Sequence, residues 1–148
     1  MIVPDANLLI YSVNADSPFH RRAKTWIEET LNGKDAIGLS WSVLTAFIRI
    51  TTRRNIYAKP VSVEESFEYI EAWLAHPAVT LVHPGPKHFS ILRELLVGVG
   101  TGGNLTSDAH LAALAIEHGA ELCSSDYDFG RFPRLNWSNP LEGNTLKS

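Results

Sequence analysis

Short apolar runs alternate along the chain with longer segments whose apolar residues recur at helical spacing. Ile2-Val3 opens as a brief strand that ends at Pro4-Asp5. Phe19 to Leu31 has Ala23, Trp26, Ile27 and Leu31 on one helical face, with Gly33 just beyond as a stop. Ile37 to Ser40 is a second short strand. Trp41 to Arg54 follows as a helix with Trp41, Leu44, Thr45 and Ile48 inward. Beyond Pro60, Ser62 and Glu65 stand at capping-box spacing, and the helix they open places Phe67, Ile70, Trp73 and Leu74 on one side. Ala78 to Val82 is a third strand, and His88 to Val97 is apolar enough for a well-buried helix. The run Gly98 to Gly103 is too glycine-rich for regular structure. Asp108 to His118 is the best-defined helix, with Thr106 or Ser107 as its cap and Gly119 as its stop. Its middle, Leu111 to Ile116, is apolar on nearly every face and demands cover on several sides. Glu121 to Ser124 is the last buried strand, with Asp126-Tyr127-Asp128-Phe129 directly after it.

Strands this short, separated by helices, predict an α/β fold: a parallel sheet with helices on both faces. Such a sheet keeps its ligand site in the crevice beyond the carboxyl ends of its strands. Asp5 follows the first strand and Asp126 the last.

The chain has 148 residues, 45% hydrophobic and 20% charged, which suits one domain with its own core. Cys123 is the sole cysteine, so an intramolecular disulfide and a CxxC zinc element are excluded. The longest stretch without Lys, Arg, Asp or Glu, Ala72 to Pro86, holds two histidines and three prolines and falls short of a membrane span. No basic leader precedes Asp5, so the expected setting is cytoplasmic.

Thirteen Lys and Arg oppose sixteen acids, a net charge of −3 that argues against a phosphate-binding protein. Distribution changes that picture. With Asp5, Asp108, Asp126 and Asp128 set aside, twelve acids remain and the rest of the chain carries +1. Singly, each of the four reads as a turn or cap residue. Together, Asp5, Asp126 and Asp128 emerge on one rim of the sheet, and Asp108 joins them if its helix begins there. Clustered carboxylates raise one another's pKa unless a cation lies between them. A set of oxygen ligands without Cys or His suits Mg²⁺ or Mn²⁺, the ions used for attack of water on a phosphodiester.

Val3-Pro4-Asp5-Ala6-Asn7-Leu8-Leu9-Ile10-Tyr11, Asp108-Ala109-His110-Leu111-Ala112-Ala113-Leu114-Ala115 and Ser125-Asp126-Tyr127-Asp128-Phe129 together resemble the PIN-domain ribonucleases, and more narrowly the VapC toxins of bacterial toxin–antitoxin pairs. His20, Trp26, the segment Trp41 to Arg49 and Trp137-Ser138-Asn139-Pro140-Leu141 are similar to a branch abundant in mycobacteria. The resemblance covers nearly the whole chain. It implies a single PIN domain over residues 1–148, a three-layer fold around a short parallel sheet of four or five strands. It further implies an Mg²⁺- or Mn²⁺-dependent endoribonuclease, homodimeric and inhibited by a VapB antitoxin. Asp5, Asp108 and Asp126 match the family's metal-binding acids, and Asp128 matches an additional acid. Asn7 falls where many members have Ser or Thr at the site, and Arg49 matches the branch pattern as a candidate phosphate contact.

One departure stands out. Most PIN nucleases carry a glutamate on the helix after the second strand, and its place here falls at Ala46 or Phe47; no acid lies between Asp35 and Glu64. A catalytically silent PIN-like module that binds RNA or protein is therefore the competing expectation. A haloacid-dehalogenase-type phosphatase would need an Asp at position 7, where Asn7 stands. The histidines show no metal-ligand spacing, His110 reads as packing, and the four tryptophans read as core.

Overall fold

The computed structural model describes residues 1–54 and 59–142. Five strands, β1 (Ile2–Pro4), β2 (Ile37–Leu39), β3 (Val79–Leu81), β4 (Glu121–Cys123) and β5 (Trp137–Ser138), form one sheet in the order β3-β2-β1-β4-β5. Every pairing is parallel, with Pro4 opposite Cys123 and Leu39 opposite Leu81. Parallel neighbours require crossovers, and among the described residues six helices supply all but the last: α1 (Ala6–Val13), α2 (His20–Leu31), α3 (Trp41–Thr51), α4 (Val63–Ala75), α5 (His88–Val99) and α6 (Leu105–Glu117), while a 3-10 turn lies between β4 and β5. The expected α/β fold with a short parallel sheet is observed, in its five-stranded form. Among the described residues, no helix is long and apolar enough to cross a membrane.

α1 was not anticipated. It is eight residues long and begins immediately after Asp5, whose side chain caps it by accepting a hydrogen bond from the Ala6 amide. Its Leu8, Leu9 and Ile10 are buried. The predicted capping box of α4 forms in full: Ser62 Oγ accepts from the Glu65 amide, and Glu65 accepts from the Ser62 amide.

α6 is the buried helix its composition demands, with Leu111 to Ala115 all inside. It starts three residues earlier than predicted. Asn104 stands at its cap position without a side-chain hydrogen bond, so Thr106 and Ser107 lie within the first turn instead of capping it. Gly119 adopts the left-handed φ of +62° expected of a helix stop.

Three helix faces depart from the pattern. In α3 the buried residues are Val43, Leu44, Phe47 and Thr51, while Trp41 stays 48% exposed and Thr45 faces outward. Phe47 turns that face inward because its ring packs edge-on against Trp73 of α4, 5.0 Å between centroids. The same contact fixes the rotation of α4: Ser66, Ile70 and Trp73 are buried, and Phe67 is left 52% exposed. α5 is only half covered, with Ile91 and Leu95 inside but Phe89 76% and Val97 71% exposed. It runs into the glycine-rich stretch and ends at Gly100, so Gly98 is helical after all. His110 packs as expected, against the His88 ring between α5 and α6.

Candidate metal centre at the strand ends

The order β3-β2-β1-β4-β5 reverses direction between β1 and β4, so the crossovers leave on opposite sides and open a crevice at that pair. Pairing continues one residue past the strands: the Asp5 amide donates to the Cys123 carbonyl, and the Ser124 amide donates to that of Ser138. Asp5 and Ser124 thus become neighbours at the mouth of the crevice.

Ser124 is fully buried and its hydroxyl is saturated. It donates to Asp5 Oδ2 at 2.7 Å, and accepts from the Asp126 amide at 3.0 Å and from Asn7 Nδ2 at 3.2 Å. Asn7 Oδ1 in turn accepts from the Ser125 amide. Asp126 then caps a 3-10 turn, Tyr127–Arg131, by accepting from the Asp128 amide at 2.9 Å. One serine therefore orients the first aspartate, the asparagine on α1 and the loop that carries the last two aspartates.

Carboxylate oxygens of Asp108, Asp126 and Asp128 lie within 4.8 Å of one another. Asp108 reaches the group from the first turn of α6, Asp126 and Asp128 from the turn after β4. Asp5 lies close enough for its charge to act on Asp108 and for that of Asp126 to act on it. The two sides differ in how each charge is met. Asp5 is pushed up from its ordinary value by burial, against the lowering effect of its hydrogen bonds from Ser124 and Ala6 and with a further push from Asp126. Asp108 is pushed up to about 6, first by burial and then by the charges of Asp126, Asp5 and Asp128. Repelling, oxygen-only carboxylates at this spacing fit a hard divalent cation, which removes the repulsion and suits the donor set.

The structure thus brings Asp5, Asn7, Asp108, Asp126 and Asp128 to one crevice. Arg49 lies elsewhere, exposed in the last turn of α3, about 13 Å along the helix from Ser40 at the end of β2. At the place of the absent glutamate, Ala46 is half-buried and Phe47 is sealed in the core; at the opening of α3 the hydroxyls of Ser40 and Ser42 are 2.9 Å apart. Sequence reasoning missed Ser124, which it counted only as the end of a buried strand. Its signal was a hydroxyl placed two residues before Asp126 at a strand terminus, where a polar side chain can reach the next turn.

The PIN domain family model matches residues 2–135. Ribonuclease VapC33 of Mycobacterium tuberculosis is 45% identical over 141 residues, covering 95% of this chain and 99% of its own length. Ribonuclease VapC37 of the same organism is 43% identical over 140 residues, 95% of this chain and 97% of its own. Among solved structures, VapBC2 from Rickettsia felis, bound to a DNA fragment from its promoter, is similar with a TM-score of 0.68 at 21% identity, covering 94% of this chain and 98% of that one. Mycobacterium tuberculosis VapC20, a sarcin–ricin-loop-cleaving toxin, gives 0.65 at 19% identity, covering 88% and 93%. At such identities the two structures speak for the fold, and the full-length match to the family model and to relatives above 40% identity decides the rest: the chain belongs to the PIN-domain family, in its VapC branch.

Proposed function

We propose that the chain is the toxin of a type II toxin–antitoxin pair, a divalent-metal-dependent endoribonuclease. The observation that carries this reading is the convergence of Asp108, Asp126 and Asp128 beside Asp5 at the β1/β4 crevice, in a chain whose relatives are named ribonucleases. Asp5, Asp108 and Asp126 would hold Mg²⁺ or Mn²⁺, with Asp128 assisting. When bound, the ion supplies Lewis-acid chemistry, lowering the pKa of a water and offsetting charge on the attacked phosphodiester. The chain's own residues do the positioning. Ser124 and the Ala6 amide hold the two oxygens of Asp5 in fixed directions. Asn7 ties α1 to the loop that bears Asp126 and stands at the crevice mouth as a candidate RNA contact. Asp108, with its pKa raised to about 6, still keeps its proton in about half the molecules near pH 6 unless a cation is present. Arg49 is a phosphate contact for a longer stretch of RNA, reached only along α3.

The same reading gives the protein a cytoplasmic setting, one PIN domain over residues 1–148, a homodimeric state and a VapB-type antitoxin. Several of the similar solved structures are VapBC pairs. A cation from the antitoxin, placed among the acids, would take the metal's place through charge-assisted hydrogen bonds. Val43 and Phe47 of α3 are buried and not available for that contact. The apolar surface that α3 and α4 do offer is Trp41, Val63 and Phe67, which stay exposed.

The test is cleavage of RNA by purified protein with Mg²⁺ or Mn²⁺, its abolition by a chelator, and mapping of 5′-phosphate ends. A second reading, a silent binding module, is favoured by the apolar residues at Ala46 and Phe47. Tight RNA or protein binding with no cleavage under any divalent ion would establish it over the first.

A further inference from the structure

Of the large apolar side chains that stay exposed among the described residues, Tyr127 alone stands between two members of the acid cluster. Its ring is 64% exposed, yet it is held at both ends. The hydroxyl donates to Glu142 Oε1. The ring meets Trp137 nearly perpendicularly, 5.7 Å between centroids. Trp137 is itself tied to the site, because its Nε1 donates to the Ser124 carbonyl at 3.1 Å. Ring, indole and metal-site strand therefore form one connected unit.

A side chain fixed this way has already lost its rotamer freedom, a cost that exposed packing does not return in the free protein. We infer that Tyr127 is a stacking platform for an unpaired nucleobase next to the scissile phosphate. The inference rests on the ribonuclease reading above and assigns a substrate contact within it. Its position suits the task. Tyr127 leaves the 3-10 turn toward β5, where its ring meets Trp137. Asp126 and Asp128 flank Tyr127 in the chain, with consecutive Cα atoms about 3.8 Å apart, which keeps the ring within a nucleotide's reach of the cluster. An aromatic face accepts any base, so the platform selects unpaired over duplex RNA without reading sequence. The acids around it give no affinity for phosphate by themselves, and stacking adds substrate affinity that they cannot supply.

The experiment measures binding of a short unstructured RNA by fluorescence anisotropy without divalent ion, alongside cleavage kinetics with Mn²⁺. Tyr127→Ala should weaken binding about fivefold or more, and in cleavage the loss should fall on KM more than on kcat. Tyr127→Phe keeps the ring and should bind like wild type, whereas a role confined to the Glu142 hydrogen bond would make it fail like alanine. Tyr127→Leu fills the space without a π-face and replaces the alanine variant if that one does not fold. An RNA scanned with single abasic sites should show one position where wild type loses affinity and Tyr127→Ala loses none further. Wild-type affinity in both Tyr127→Ala and Tyr127→Leu, equal binding of duplex RNA, or additive losses at every abasic position would overturn the platform. Wild-type protein that cleaves no RNA at all would instead sink the nuclease reading, a separate outcome.

Discussion

The two sides of the crevice solve the same electrostatic problem in different ways. On the β1 side, Asp5 has both carboxylate oxygens engaged, by the Ala6 amide and the Ser124 hydroxyl, and that hydroxyl is itself saturated by Asn7 and Asp126. On the α6 side, Asp108 is half-buried and faces Asp126, Asp5 and Asp128; its own burial first, and then their charges, raise its pKa to about 6. The first arrangement is a finished hydrogen-bond framework that holds geometry. The second is a repulsion that the protein alone leaves in place. A site that binds a cation needs both, because ligands must be oriented before the ion arrives and must gain from its arrival.

The comparison is broken most severely at Asp126, which belongs to both sides. It takes part in the carboxylate cluster, and its amide and side chain fix the loop between Ser124 and Asp128. Asp126→Asn should lower RNA cleavage by on the order of 10²–10³ and abolish the Mn²⁺-induced rise in melting temperature. Retention of more than a tenth of wild-type activity would remove Asp126 from the metal-holding set.

Ser124→Ala attacks the framework alone. It strips a partner from Asp5 Oδ2, the Asp126 amide and Asn7 Nδ2 while removing no charge. Groups left unpaired in a buried setting cost about 1–3 kcal/mol, readable as a drop in the denaturation midpoint. Loss of a group that orients metal-holding residues weakens metal binding by about 10–100-fold, which Mn²⁺ titration reads directly. Unchanged Mn²⁺ affinity with a lowered midpoint would reduce Ser124 to a packing residue.

The strand-to-helix alternation was readable because each element carries its own period and punctuation, as in the Ser62–Glu65 capping box and Gly119. The four aspartates were readable because their placement after strands and at the opening of a helix follows from chain order. Helix rotation was less readable. Trp41 and Phe67 looked like core by spacing, but the Phe47–Trp73 contact joins two helices across the chain and turns both residues outward. α5 and α6 are similarly apolar, yet only α6 is enclosed. Ser124 was hidden for a related reason: its value comes from Asp5 and Asn7, more than a hundred residues away, and local sequence carries no trace of that meeting. α1 went unseen because Asp5 was weighed as a turn or cap residue and as a ligand without the apolar run after it, Ala6 to Val13, being read as the helix it caps.

The smallest effect separates the two sides by sign. A carboxyl whose pKa is raised on folding binds its proton more tightly in the native state than in the unfolded chain. Between the unfolded and folded values the native state carries more protons, so stability falls as pH rises through that window. For Asp108 the window runs from 3.8 to about 6. Metal-free protein should therefore lose stability between about pH 4 and 6 from this group, and added Mn²⁺ should restore it above pH 6, by roughly 1.4 kcal/mol at ten times Kd. Asp108→Asn removes the charge without breaking any hydrogen bond seen at that side chain, so it should flatten this part of the profile and melt above wild type at pH 7 without metal. Asp5→Asn also removes a charge, but it places an amide against the Ser124 hydroxyl, which already accepts two hydrogen bonds and loses its own acceptor. It should melt no higher than wild type. Thermal melts of both variants at pH 4.5 and 7, with and without Mn²⁺, read the difference. If Asp5→Asn gains as much as Asp108→Asn, both carboxylates are governed by burial and repulsion alone, and the hydrogen-bond framework at Ser124 contributes nothing to the site.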